Sequence, residues 1–270
     1  MFSNKMIAFI GGGNMAEAIL KGLLNKGRDK SEILVSEPVA ERRAYLEKTY
    51  GIATSDDNLA TVEAVGTVIL AIKPQMVNEV VAAFAPAFND NKLLISILAG
   101  TPTATLQELL GGAARVVRVM PNTPALIGQG ATALCTGVYA DEKDIVHAEG
   151  LFTSVGITCR VREAEMDAVT AVSGSGPAYV YMVIEAMTEG GVREGLDVET
   201  ARRLAVQTVA GAASLVAASG EDPAELRRKV CSPGGTTLSA VQVLEERDLN
   251  STLIEAVRAA AHRSRELGKK

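Results

Sequence analysis

Between Val230 and Val241 the chain reads VCSPGGTTLSAV, a stretch without a charged side chain that gathers Ser232, Gly234, Gly235, Thr236 and Thr237 into one turn. Glycines let backbone close on a ligand, and a helix opening behind them offers N–H groups that hold a small anion without a cationic side chain. The plainer alternative is a helix-to-helix turn with a threonine cap. A second stretch, IAFIGGGNMAEAIL, places Gly11-x-Gly13-x-x-Ala16 after an apolar run and at the start of an amphipathic pattern. Gly11 permits a tight turn, Gly13 lets backbone approach a diphosphate, and the small Ala16 brings helix close to strand. A dinucleotide's phosphates then rest on the helix N-terminus.

Three further stretches point to the same end of a sheet. In LVSEP, Glu37 stands where an acid accepts hydrogen bonds from an adenosine ribose, which favours NADH and repels a 2′-phosphate. Arg42 and Arg43 follow closely, either to reach a 2′-phosphate or to form a solvated helix face, so NADPH and NADH both stay open. LAIKPQ ends an apolar run on Lys73-Pro74, and RVMPNTP ends another on two prolines around Asn122 and Thr123. Proline turns the backbone out of a strand, at the carboxyl edge where open α/β sheets bind ligands.

The elements that must carry these groups are legible as patterns. Apolar, β-rich runs at 6–10, 33–36, 68–72, 93–98 and 116–120 predict strands buried on both faces. Helix-length segments lie between them, with Met15, Ile19 and Leu23 spaced along one face. This alternation predicts an α/β doubly wound parallel sheet. From about Met166 the β-rich runs stop and Ala-rich helical patterns continue to the end. The expected division is therefore a nucleotide-binding domain over 1–163 and an all-helical domain over 164–270. Asp197 and Asp222 are expected N-caps, Pro177 and Pro223 first-turn residues, and Asn250 the start of the last helix. PAYVYMVIEAM carries one charge, Glu185, in about three turns, which predicts a helix covered on all sides, either by its own domain or by a second copy in a homodimer.

Composition excludes several classes. A net charge of −5 with interspersed Lys and Arg gives no field for a nucleic acid. Apolar runs such as 68–72 are far shorter than the roughly 18 residues of a membrane span, and the N-terminal pattern lacks the form of a signal peptide. Cys135, Cys159 and Cys231 are odd in number and without CxxC spacing, which fits neither a disulfide framework nor structural zinc; no metal is expected, and the location expected is cytoplasmic. His147 and His262 lie away from every motif, which argues against catalysis by histidine.

The stretches AVSGSGPAYVY (171–181), VCSPGGTTLSAV, AIKP and MPNTP resemble the motif set of the pyrroline-5-carboxylate reductases, and the likeness runs essentially end to end. It implies hydride transfer from NADPH or NADH to the C=N carbon of 1-pyrroline-5-carboxylate, giving L-proline. It further implies an N-terminal Rossmann-like doubly wound, mostly parallel sheet with a C-terminal all-α domain, and homodimers through the C-terminal helices that assemble into decamers. Carried over by position, the resemblance assigns the cofactor to Ile10, Gly11, Gly12, Gly13, Asn14, Met15, Ser36, Asn58, Ala71, Ile72, Lys73, Pro74, Leu98 and Ala99; Glu37 at the ribose rests on its own place after the second strand. The substrate falls to Ser232, Gly234, Gly235, Thr236 and Thr237, with Thr237 as proton donor or orienting hydroxyl. Where many relatives carry a small hydroxyl residue, this chain has Glu37, so phosphate selectivity stays open.

Two rival functions differ in what they need. A β-hydroxyacid dehydrogenase uses a lysine in a GxGxxxKxxxN pattern, whereas Gly174-x-Gly176 is followed by Val180 and Ile184 at those places. A non-catalytic nucleotide sensor would have no use for an intact Ser232–Thr237 turn.

Overall fold

The structure is a computed structural model and describes residues 6–268. Its eight strands, β1 (Ile7–Ile10), β2 (Ile33–Ser36), β3 (Ala53–Ser55), β4 (Thr67–Leu70), β5 (Leu93–Ser96), β6 (Arg115–Met120), β7 (Gly130–Thr136) and β8 (Gly156–Arg160), form one sheet in the order β3-β2-β1-β4-β5-β6-β7-β8. Neighbours from β3 to β6 are parallel; β7 runs antiparallel to β6 and parallel to β8. The first six strands have the 3-2-1-4-5-6 order of a Rossmann sheet, whose winding reverses between β1 and β4.

Side chains alternate along the central strands and divide the core in two. Ile7 and Phe9 pack on one face with Ile19 and Leu23 of α1 (Asn14–Asn25), Leu46 of α2 (Ala40–Tyr50) and, beyond β6, Phe152 of a later helix. Ala8 and Ile10 point to the other face, beneath Val62 of α3 (Asn58–Glu63), Val81 and Phe84 of α4 (Val77–Phe84), and Leu106 of α5 (Thr103–Leu109). Covering both faces is what makes these strands apolar throughout. The five predicted strands are all present, but β4 and β5 end two residues early, at Leu70 and Ser96. Ala71, Ile72, Leu98 and Ala99 therefore lie in loops. The strands β3, β7 and β8 carry weaker patterns: β3 is three partly exposed residues, β7 mixes small and hydroxyl residues, and β8 is an exposed edge.

After α6 (Glu142–Phe152) and β8, α7 (Met166–Val169) runs into a π-helical turn, Thr170–Gly174. Then follow α8 (Gly176–Arg193), α9 (Val198–Ser219), α10 (Pro223–Val230), α11 (Thr236–Glu246) and α12 (Leu249–Leu267). Asp197 accepts from the N–H groups of Glu199 and Thr200, and Asp222 from that of Ala224. Asn250 does not open the last helix. Asp248, with φ 55, does so, its carbonyl taking the N–H of Thr252, and Asn250 lies inside the first turn.

Contacts cluster into two compact units, one running to Ser175 and including the chain from Ala259 onward, the other Gly176–Arg258. The first unit extends past the expected division at 163/164 because Met166 and Ala171 are fully buried, Met166 against Ala133 and Cys135. In the second unit α8 and α9 pack together, yet Ala201 and Ala205 are its buried apolar residues, while Tyr181 and Met182 on α8 are 53% and 67% exposed. Among the described residues no helix is long and apolar enough to cross a membrane.

Candidate active site

In the first unit the loops after β1, β2 and β4 meet at the carboxyl edge of the sheet. The Gly11 N–H donates to the Ser36 carbonyl at 2.8 Å, and the Ala71 N–H to the Ile10 carbonyl at 2.8 Å. Gly11 has φ 95, and a Cβ there would lie 2.5 Å from the Ala71 carbonyl oxygen. Gly12 is wedged as well, since a Cβ would meet Leu46 Cδ1 at 2.9 Å. Gly13 differs: nothing lies within 4 Å of where its Cβ would be, and it caps α1 without any side-chain hydrogen bond. The N–H groups of Asn14 and Met15 in the first helical turn thus have no i−4 carbonyl and no capping side chain, and they carry the positive end of the helix dipole. This cradle is open, small and electropositive, and it fits a diphosphate.

Around the expected ribose position the side chains are tightly committed. Ser36 is buried, and its hydroxyl donates to Asn58 Oδ1 at 2.6 Å. Glu37 accepts the Gly12 N–H on one oxygen at 2.8 Å and the Val39 N–H on the other at 3.0 Å. Arg42 donates from Nε to the Gly12 carbonyl at 2.6 Å and from Nη2 to Glu17 at 2.5 Å. Arg43 reaches the carbonyls of Glu37 and Pro38 and the carboxylate of Asp56. Neither arginine is the solvated helix face that one reading of the sequence allowed. No signal in the sequence marks Glu17 as Arg42's partner, because the two are 25 positions apart on different helices.

At the ends of the next strands, Lys73 and Pro74 are exposed and open the short turn Pro74–Met76, with Ala71 and Ile72 half-buried beside them. Leu98 is 2% exposed and packs into the core, which leaves its backbone as the part facing the edge. Asn122 is spent internally, donating to the Ser173 carbonyl at 3.0 Å and accepting the Ala131 N–H at 2.9 Å. It ties β6 and β7 to the π-helical turn. His147 is 3.1 Å from the Thr67 hydroxyl, at the amino end of β4, and burial together with the charge of Arg28 holds its pKa below the usual value.

In the second unit the Ser232–Gly235 turn has the geometry that its residues dictate. Pro233 precedes Gly234 at φ 68, and the Gly235 N–H donates to the Ser232 carbonyl at 3.0 Å, which is a type II turn. A Cβ on Gly235 would lie 2.5 Å from Ser232 Oγ. Gly235 is the N-cap of α11 and no side chain caps it, so the threonine-cap alternative is not realised. Thr236 is exposed and Thr237 half-buried in the first turn, with the N–H groups of that turn free to meet an anion.

Residues 163–267 match the family model described as pyrroline-5-carboxylate reductase dimerisation, and residues 6–100 the model described as NADP oxidoreductase, coenzyme F420-dependent. A curated pyrroline-5-carboxylate reductase of Synechocystis sp. is 46% identical over 265 residues, covering 98% of each chain. That of Pseudomonas aeruginosa is 43% identical over 98% of this chain and 97% of its own. Among solved structures, a pyrroline-5-carboxylate reductase from Coxiella burnetii aligns with a TM-score of 0.93 at 36% identity, over 99% of this chain and 100% of its own. A pyrroline carboxylate reductase from Plasmodium falciparum with NADP bound aligns at 0.89 and 31% identity, over 99% and 100%.

Proposed function

The chain belongs to the pyrroline-5-carboxylate reductase family, and we infer that it reduces 1-pyrroline-5-carboxylate to L-proline with NADPH or NADH, the last step of proline biosynthesis. The observation that carries this reading to the chain's own residues is that each unit has an uncapped, glycine-lined helix start, at Gly13 in the first and at Gly235 in the second. The bound nucleotide supplies the hydride. Gly13, Asn14 and Met15 hold its diphosphate, on a loop shaped by Gly11 and Gly12, whose N–H groups serve Ser36 and Glu37; Ser36, Glu37 and Asn58 face the adenosine ribose; Ile10, Ala71, Ile72, Lys73, Pro74, Leu98 and Ala99 line its nicotinamide side.

Ser232, Gly234, Gly235 and Thr236 surround the substrate carboxylate at the start of α11, where the N–H groups of the first helical turn and the Ser232 and Thr236 hydroxyls hold it, while the Gly235 N–H closes the turn on the Ser232 carbonyl. A charge-free turn suits this substrate, because a nearby cation would disfavour the protonated imine. An iminium carbon is already electrophilic, so alignment matters more than a strong acid. Thr237 hydrogen-bonds the ring nitrogen or gives it a proton.

The protein is a homo-oligomer. Its basic unit on this reading is a homodimer through the C-terminal helices, in which a second copy covers the apolar side chains of α8, and such dimers assemble further into decamers. The exposure of Tyr181, Met182 and Met187 in one chain supports the dimer. The widely spaced, unpaired Cys135, Cys159 and Cys231 fit a cytoplasmic setting.

The purified protein is expected to oxidise NADPH or NADH when given pyrroline-5-carboxylate, followed by loss of nucleotide absorbance, and to leave NADP+ and NAD+ unreduced with 3-hydroxyisobutyrate. The reverse pattern would sink the assignment.

Glu37→Ser is expected to raise kcat/KM for NADPH relative to NADH about fivefold, since a carboxylate about 4 Å from a phosphate costs roughly 1 kcal/mol in water. An unchanged ratio with both nucleotides would mean that Glu37 serves the loop alone.

A further inference from the structure

We infer that Arg42, held in place by Glu17, is a positioning residue that aims the glycine loop at the dinucleotide, for NADPH and NADH alike. The inference rests on the reading above that this loop takes the diphosphate. It differs from a role for Arg42 at the 2′-phosphate, because its target is the protein's own backbone.

Gly12 is held from both sides. Its N–H is given to Glu37, and its carbonyl receives Arg42 Nε at 2.6 Å. The described chain has no cis peptide bond, and in a trans peptide the carbonyl and the following N–H point in opposite directions. Anchoring the Gly12 carbonyl on Arg42 therefore turns the Gly13 N–H the other way, away from α2. Three consecutive glycines would otherwise leave this loop conformationally loose, and ordering it would fall on nucleotide binding. No side chain at Gly12 can do this job, since a Cβ would collide with Leu46.

An arginine makes a poor anchor unless it is itself fixed, because its long side chain loses much rotamer freedom. Arg42 is fixed on two sides. Its Nη2 meets Glu17 Oε2, and its guanidinium lies 5.0 Å from the centre of the Tyr45 ring. Glu17 accepts on its other oxygen from the hydroxyls of Tyr45 at 2.9 Å and Tyr50 at 2.6 Å. Burial pushes the Glu17 carboxyl up, but the hydrogen bonds from Tyr50, Arg42 and Tyr45 together outweigh it and hold the group below the usual carboxylate range. Glu17 thus stays charged. It sits in the first turn of α1, whose N-terminus faces the diphosphate, while Arg42 and both tyrosines sit on α2. With side chains 17% and 24% exposed, Glu17 and Arg42 are shielded from solvent far more than an ordinary surface pair.

The test is direct titration of the full-length protein with NADPH and with NADH, alongside steady-state kinetics. Arg42→Lys keeps the charge but loses the fork that bonds carbonyl and carboxylate together. It is expected to weaken both nucleotides about tenfold, with the NADPH to NADH ratio unchanged and kcat at saturating nucleotide little altered. Glu17→Gln and Tyr50→Phe should each weaken both nucleotides by about threefold. The double variant Glu17→Gln/Arg42→Lys should bind no worse than Arg42→Lys alone, because the two residues act in series. Should Arg42→Lys fail to fold, the Glu17 and Tyr50 variants carry the test. Unchanged affinity in the variants, or a lowered kcat and Tm with normal nucleotide binding, would overturn the inference. A loss confined to NADPH would also overturn it and assign the guanidinium to the 2′-phosphate. A parent protein that binds neither nucleotide would refute the underlying reading of the loop instead.

Discussion

Thr237→Val is expected to lower kcat about a hundredfold while leaving NAD(P)H binding close to that of the parent protein. Valine keeps the volume and branching of threonine and removes the hydroxyl alone. Proton transfer or its equivalent hydrogen bond is worth about 10²–10⁴-fold, and an imine that reaches the site already protonated needs the lower end of that range. Thr237 is half-buried at the second position of α11, where it can meet a ligand lying on the helix start. Thr236 is exposed beside it, about 100° around the helix, and is assigned to the carboxylate. Thr236→Val should therefore raise substrate KM more than it lowers kcat. Steady-state kinetics in pyrroline-5-carboxylate at saturating nucleotide separates the two patterns. Parental kcat and KM in Thr237→Val would show that substrate is held elsewhere.

The second large effect comes from two glycines that resemble each other in sequence and differ in space. Gly11→Ala introduces a Cβ 2.5 Å from the Ala71 carbonyl oxygen, at a backbone φ of 95 that side chains rarely adopt. The strained conformation alone costs about 1–3 kcal/mol, and relieving the collision means separating the loops after β1 and β4. Gly11→Ala should lower Tm by several degrees and abolish measurable nucleotide binding. At Gly13 the space beyond the Cα is open and φ is −70, so Gly13→Val folds without strain. Its side chain then occupies the place where backbone must approach the diphosphate. Its Tm should match the parent within about 1 °C, and its affinity for NADPH and NADH should fall at least tenfold. Calorimetric unfolding and nucleotide titration of both variants give the comparison. If Gly13→Val binds nucleotide normally, the diphosphate does not lie on the start of α1.

Much of this architecture was legible because it is local. Five apolar runs marked the buried strands, and Asp197 and Asp222 marked helix starts, since a cap needs partners two or three residues away. The turn at Ser232–Gly235 follows from Pro233 and Gly234 in the same way. The misses are equally physical. The strands β3, β7 and β8 leave only weak patterns of their own in the sequence, because a short or exposed strand owes its existence to the neighbour that pairs with it. Asn250 was displaced as the start of α12 by Asp248, whose left-handed backbone no spacing rule anticipates.

By itself the sequence determined the alternation of buried strands and helices, the two glycine turns ahead of uncapped helices, and through its motifs the family to which the chain belongs. Each of these is written in residues close along the chain, where propensity, periodicity and turn chemistry act. The tertiary structure alone decided the roles of the charged residues around the nucleotide loop. Glu37, which the sequence offered as a ribose acceptor, also holds the Gly12 N–H from 25 positions away, and Arg42 holds the same glycine's carbonyl from 30. Asn122, offered as part of a cleft, ties the sheet to Ser173. A carboxylate, guanidinium or amide can satisfy its hydrogen bonds with any partner that the fold brings within about 3 Å, so its role is settled by which backbone groups the packed helices and strands carry to it.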